Sequence, residues 1–181
     1  TVWSFGDNLY GALGNNTTTD VDCSSPVQVI GLDNVTQIAT GYSSSYAIKN
    51  DGTLWAWGGN YCGQLGEGSS IDQLVPQQVD GLYNIVSVAG GSEHALAVDD
   101  VCFVYLWGDN TYGQLNCSPG IIPNTYTPMS SSEMFVTATS VGAGAYTSAV
   151  LDEDSRSLRM CGLNSSGELK NGTFTDSWEF T

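Results

Sequence analysis

The chain has 181 residues, 41% of them apolar and 22 of them glycine, so it can build a core and is too apolar for disorder. Nineteen Asp and Glu stand against four Lys and Arg, giving a net charge of −15, which excludes phosphate-backbone binding and attraction to an anionic membrane face. No run approaches the roughly 18 consecutive apolar residues of a membrane span. The acidity either keeps the protein soluble or favours basic partners and divalent cations.

The chain opens at Thr1-Val2-Trp3, already a strand pattern, with no initiating Met and no signal peptide. The expectation is a mature or trimmed piece of a longer protein. Residues 3–14 read WSFGDNLYGALG, residues 55–66 WAWGGNYCGQLG, residues 105–116 YLWGDNTYGQLN, and residues 160–169 MCGLNSSGEL. The anchor glycines Gly6, Gly58, Gly108 and Gly162 are 52, 50 and 54 residues apart. A second pattern keeps the same phase. It runs PVQVIGLDNVTQIATGYSSSYAI at 26–48 and PQQVDGLYNIVSVAGGSEHALAV at 76–98, with VTATSVGAGAYTSAVL at 136–151. Two motifs in one period define a repeat.

Each repeat carries about four short strand signals. VTQIATG and IVSVAGG are β-branched runs ending in glycine. SYAIKNDGTLWAWG reads as a hairpin turning at Asn50-Asp51-Gly52, with Tyr46, Ile48, Leu54 and Ala56 on matching faces. A Pro-led segment before Gly31 and Gly81 supplies an outer strand. Four strands in about 50 residues make one propeller blade, whose faces are buried only by neighbouring blades. The prediction is an all-β fold, a partial β-propeller of three to three and a half four-stranded blades within a single segment, 1–181. Its repeat units are 6–57, 58–107, 108–161 and a partial fourth at 162–181. In the recurring turn, Gly6, Gly58, Gly108 and Gly162 permit unusual backbone angles. Asn8, Asn60, Asn110 and Asn164 hold the loop by side-chain hydrogen bonds, and Leu13, Leu65, Leu115 and Leu169 plug it onto the blade.

This pattern resembles the regulator of chromosome condensation repeat family. The hallmark is Trp-Gly-x-Asn-x-x-Gly-Gln-Leu-Gly, followed by Val-x-x-Val-x-x-Gly-x-x-His-Ser-x-Ala-Leu and an Asp-Gly hairpin. It fits best at 53–98. The resemblance implies a seven-bladed ring, which at this period needs about 350 residues. The remaining blades then belong to a longer protein or to other chains. It also implies that His94, which stands as Ser44 and Thr147 in the flanking copies, is a packing residue. Further departures are Val101-Cys102 in place of Asp-Gly, DEDSRS at 152–157, and Cys161 in place of the Trp before Gly162.

Candidate sites are few. One histidine excludes a catalytic triad or a multi-His metal site within the chain. Ser43–Ser45 and Ser130–Ser132 have no base nearby in sequence. Asp20/Asp22, Asp99/Asp100 and Asp152/Glu153/Asp154 read as solvated hairpin tips rather than a calcium loop. Asn50–Trp55 faintly resembles a sialidase Asp-box, but Arg156 and Arg159 are too few for that enzyme. No cofactor is expected. Glycosylation sequons at Asn15, Asn16, Asn34, Asn116, Asn164 and Asn171 point to a secreted glycoprotein, with a cytoplasmic chain as the alternative. Among five cysteines, Cys23, Cys62 and Cys117 fall in rim loops, and a Cys23–Cys62 bridge suits an oxidising compartment. Cys102 and Cys161 read as small buried strand residues.

The reading that follows is a non-enzymatic protein-interaction or structural scaffold, secreted or at the cell surface. Its partners are protein chains, not nucleic acid, and include further copies or the remaining blades. The resemblance adds guanine-nucleotide exchange on a small GTPase as an alternative. A secreted enzyme inhibitor, working through Tyr10, Tyr61, Tyr112 and Tyr126, is another.

Overall fold

The structure is a computed structural model. It describes residues 1–116, 120–131, 137–153 and 156–181, without the side chains of 20–22. Thirteen strands and no helices occur among the described residues. Strands β1 (Trp3–Asn8) and β2 (Thr19–Gln28) pair as half a blade. The first full blade holds β3 (Val35–Thr40), β4 (Ser44–Lys49), β5 (Leu54–Gly58) and β6 (Gln73–Gln78) in sequence order. The second holds β7 (Ile85–Gly90), β8 (His94–Asp99), β9 (Val104–Asp109) and β10 (Asn124–Ser130). The third holds β11 (Ala138–Ala143), β12 (Thr147–Asp152) and β13 (Ser157–Gly162). Residues 177–181 lie along β13, through Gly162–Ser177 and Met160–Thr181 backbone bonds.

All pairings are antiparallel, so each blade is a meander of the kind that propellers stack. A sequence repeat and a blade are offset. The repeat 58–107 carries β6, the outer strand of one blade, and then β7, β8 and β9 of the next.

The predicted hairpin faces are those observed. Tyr46 pairs with Ala56 and Ile48 with Leu54. All four are buried against Val88, Ala95, Ala97 and Trp107 of the second blade. A second cluster joins Leu96, Val98, Val104 and Leu106 to Ala138, Val150 and Cys161 of the third blade. A smaller one joins Val29 and Leu32 to Ala47 and Trp57. Burying both faces of a blade between neighbours is what the stacking supplies.

The hairpin tips depart from expectation. Asp99 and Asp152 are buried, not solvated. Asp99 accepts the Val101 and Phe103 N–H groups and the Tyr105 hydroxyl, and Asp152 accepts the Thr137 hydroxyl. Asp99 closes its own turn, Asp152 ties its hairpin to the residue before β11, and Asp100 and Glu153 face solvent. Cys102 lies in the turn rather than on a strand, at φ 72°, where blade one has Gly52 at φ 77°. The side chains of Asp20 and Asp22, and the whole of Asp154, lie outside the described residues.

Candidate functional site: the turn rim

Each Gly-x-Asn-x-x-Gly turn is built the same way. Asn8, Asn60, Asn110 and Asn164 are almost fully buried. Through Oδ1 each accepts the N–H of the leucine five residues on, at 2.9–3.0 Å. Through Nδ2 each donates into the loop that follows. Asn60 reaches Glu67 Oε1 and the Ser69 and Ile71 carbonyls, and Asn164 reaches the Thr173 and Thr175 carbonyls. A buried amide with both ends occupied fixes the loop's path. The turn starts at a glycine that no other residue replaces well. At Gly58, φ is 102° and an added Cβ would lie 2.3 Å from the Ser43 carbonyl.

The turns also join the blades. Trp57 donates its indole N–H to the Ala12 carbonyl at 2.9 Å, and Trp107 donates to the Gln64 carbonyl at 2.8 Å. Each tryptophan therefore reads the turn of the preceding blade. Gly14 and Gly66 make room for it, since a Cβ there would lie 2.8 and 2.7 Å from the Trp57 and Trp107 indole nitrogens. At the third seam Cys161 replaces the tryptophan and Asn116 replaces the glycine. Cys161 Sγ reaches the Gln114 carbonyl at only 3.6 Å, and Ser148 donates to the same carbonyl at 2.7 Å. Asn116 fills the space, accepting the Phe180 N–H and donating to the Ser131 hydroxyl.

On the solvent side of the turns, a second set of seam contacts varies between blades. Cys62 donates its thiol to Glu93 Oε2 at 3.2 Å. Burial and this carboxylate push its pKa up to about 12. Tyr112 and Tyr146 occupy the matching positions one seam later, their rings 5.1 Å apart. Tyr10, Tyr42 and Tyr61 stand out into solvent, at 42%, 84% and 82% exposure. With Ser43, Gln64, Asp72 and Glu93 they surround a pocket of about 510 Å³.

His94 sits deeper, between the second and third blades, fully buried. Neither ring nitrogen has a hydrogen-bond partner. Burial pushes its pKa down to about 4, against lesser pulls from the Thr147 backbone, which lies outside hydrogen-bond geometry, and from Asp109.

Other predicted sites are not brought together. Cys23 and Cys62 are free thiols with separate partners, so the bridge expected between them is not formed. Cys117 lies outside the described residues. Asn116 and Asn164 are buried and hold loops, which corrects their reading as glycan acceptors; Asn16, Asn34 and Asn171 are exposed and Asn15 half-buried. No metal-ligating cluster occurs among the described residues, and none of their helices could cross a membrane because there are none. The seam roles of Gly14, Gly66 and Asn116 went unnoticed in the sequence. Their signal was the joint change of Trp to Cys161 and Gly to Asn116.

Stacked four-stranded meanders, offset from their repeats and stapled turn to blade, define a β-propeller of tandem repeats. The family model "Regulator of chromosome condensation (RCC1) repeat" matches residues 1–48 and 51–98, and a second model of that repeat matches 35–64. The chain belongs to the regulator of chromosome condensation repeat family. It is similar to the ultraviolet-B receptor UVR8 of Arabidopsis thaliana, 36% identical over 40% of this chain and 16% of the receptor. It is similar also to a Danio rerio homologue of protein RCC2, 33% identical over 41% of this chain and 15% of that protein. Among solved structures, human WBSCR16 superposes with a TM-score of 0.83 at 22% identity, covering 98% of this chain and 46% of that one. Prp20p of Saccharomyces cerevisiae, solved together with its binding properties to Gsp1p and histones, gives 0.79 at 20% identity, covering 99% and 45%. The chain thus spans less than half the length of the solved relatives and its matched part a sixth or less of the curated ones.

Proposed function

We propose that the chain is a protein-binding propeller module that docks its partner on the turn rim and performs no covalent chemistry. The observation that carries this reading is the division of labour among side chains. Blade faces, turn asparagines and indoles are spent on packing, while Tyr10, Tyr42 and Tyr61 project from the rim beside carboxylates. Exposed aromatics on a rigid scaffold are the usual anchors of protein interfaces. We place the protein inside the cell: Cys23, Cys62 and Cys102 are free thiols, and the matching family model takes its name from a regulator of chromosome condensation. A photo-crosslinker at position 42 should collect a discrete protein adduct in extract, and one at position 51, on the opposite rim, should not. Equal yields from both positions overturn the reading. Mass measurement before and after deglycosylation checks the compartment, with no loss of mass expected.

A second reading, guanine-nucleotide exchange on a small GTPase, is favoured by the likeness to Prp20p and its reported binding to Gsp1p. Accelerated release of a fluorescent guanine nucleotide from a GTPase would establish it.

A further inference from the structure

We infer that the pocket between the first two turns of this rim takes an arginine side chain presented by a partner protein. The inference rests on reading the turn rim as the docking surface. It begins with a mostly buried side chain whose donor opens onto the pocket. Gln64 is 2% exposed and lines the pocket. Its Oε1 accepts the Cys62 N–H at 3.0 Å, but its amide nitrogen has no partner among the described residues. The next turn shows what that nitrogen is built to meet. There Gln114 accepts the Tyr112 N–H in the same way and donates its amide to the Asp109 carboxylate at 2.7 Å. Gly59 stands where Asp109 stands. The loss of that side chain leaves the Gln64 amide donor open to the pocket, where a ligand carrying an acceptor oxygen can meet it.

The walls ask for the opposite charge. Asp72 accepts the Asn60 N–H at 2.8 Å and Glu93 accepts the Cys62 thiol, so each carboxylate is anchored through one oxygen. Neither has a Lys or Arg partner among the described residues. Tyr10, Tyr42 and Tyr61 add aromatic surface, and the chain as a whole carries −15. An arginine residue within a peptide satisfies both demands. Its planar guanidinium stacks on tyrosine and forks to carboxylates, and a neighbouring backbone carbonyl accepts the Gln64 amide. The matching place one seam later is closed, because Tyr112 and Tyr146 pack on each other and Asp109 occupies Gln114.

Fluorescence anisotropy with a labelled Ala-Gly-Arg-Gly-Ala peptide, on the full chain, tests this. Saturable binding is expected, weakened about tenfold when citrulline replaces arginine, as for one lost charge-assisted pair. Glu93→Gln and Tyr61→Ala should each weaken it several-fold, while Asp51→Asn on the far rim leaves it unchanged; melting curves check that each variant folds. No saturable binding, equal binding of the citrulline peptide, or equal loss from Asp51→Asn overturns the inference. A lysine peptide that binds as tightly as arginine overturns the guanidinium assignment. Rim adducts at position 42 that form with wild-type and Glu93→Gln protein, when the arginine peptide binds neither, remove the pocket and leave the docking rim standing. Loss of those adducts from the wild type removes both.

Discussion

The first two seams and the third solve one packing problem differently. At the seams of Trp57 and Trp107 a large indole crosses to the preceding turn and a glycine makes room. At the third seam a small thiol stands in the indole's place, Asn116 replaces the glycine, and the short hydrogen bond to the turn carbonyl is left to Ser148, whereas at the first seam Ser45 and the indole share that carbonyl. The worn fourth copy of the motif is therefore a repacked seam rather than a damaged one. Asn116 restores part of the volume lost with the indole, and the acceptor carbonyl keeps a donor.

The largest effect that would sharpen this contrast comes from truncation. Trp107→Ala should cost about 4 kcal/mol, whereas Cys161→Ala should cost about 1, in denaturant unfolding. Equal costs would erase the distinction between the seams. Next comes acid. His94 is neutral in the fold, with a pKa of about 4 against an ordinary 6.5, so the unfolded chain binds its proton first as pH falls. The protein should lose about 3 kcal/mol from this group between pH 6.5 and pH 4, none of it above pH 7. His94→Gln, compared with wild type over that range, should remove this part of the slope; parallel curves would disprove it.

A smaller effect tests the exchange of glycine for asparagine directly. Gly66→Asn and Trp107→Cys should each destabilise, but the double variant should fall short of their sum by about 1 kcal/mol, because it rebuilds the third seam's pairing. Strict additivity would show the two changes to be unrelated. The smallest effect concerns Cys62. Its raised pKa, set by burial and Glu93, keeps it a thiol at pH 8, so alkylation by iodoacetamide should be slow. Glu93→Gln should speed it, and an unchanged rate would mean that burial alone holds the thiol.

The propeller was legible because two motifs share one period and each has its own local chemistry. The roles of Asn8, Asn60, Asn110 and Asn164 followed from side-chain propensity, and the Tyr46–Ala56 and Ile48–Leu54 pairs from alternation. What stayed hidden depends on the neighbouring blade. No local pattern says that Trp107 donates to Gln64, since the two stand 43 residues apart and in different blades. Asp99 looked like a solvated tip because its partners, Val101, Phe103 and Tyr105, enclose it only once the hairpin closes. The bare amide of Gln64 was invisible for the same reason, since it emerges only when Gly59 is set against Asp109 in space. The sequons misled at Asn116 and Asn164 because the turn uses asparagine for its buried amide.

The indole that reads the preceding turn has a consequence for how such arrays change over generations. A gene duplication that copies a whole period carries a tryptophan at one end and a glycine-bearing turn at the other, so it splices in without a mismatch. A copy recombined between the Trp107 type and the Cys161 type meets either an indole against Asn116 or a thiol against Gly66. The heritable part is the junction rather than the blade, and lineages of such proteins should gain and lose repeats in blocks bounded by compatible junctions.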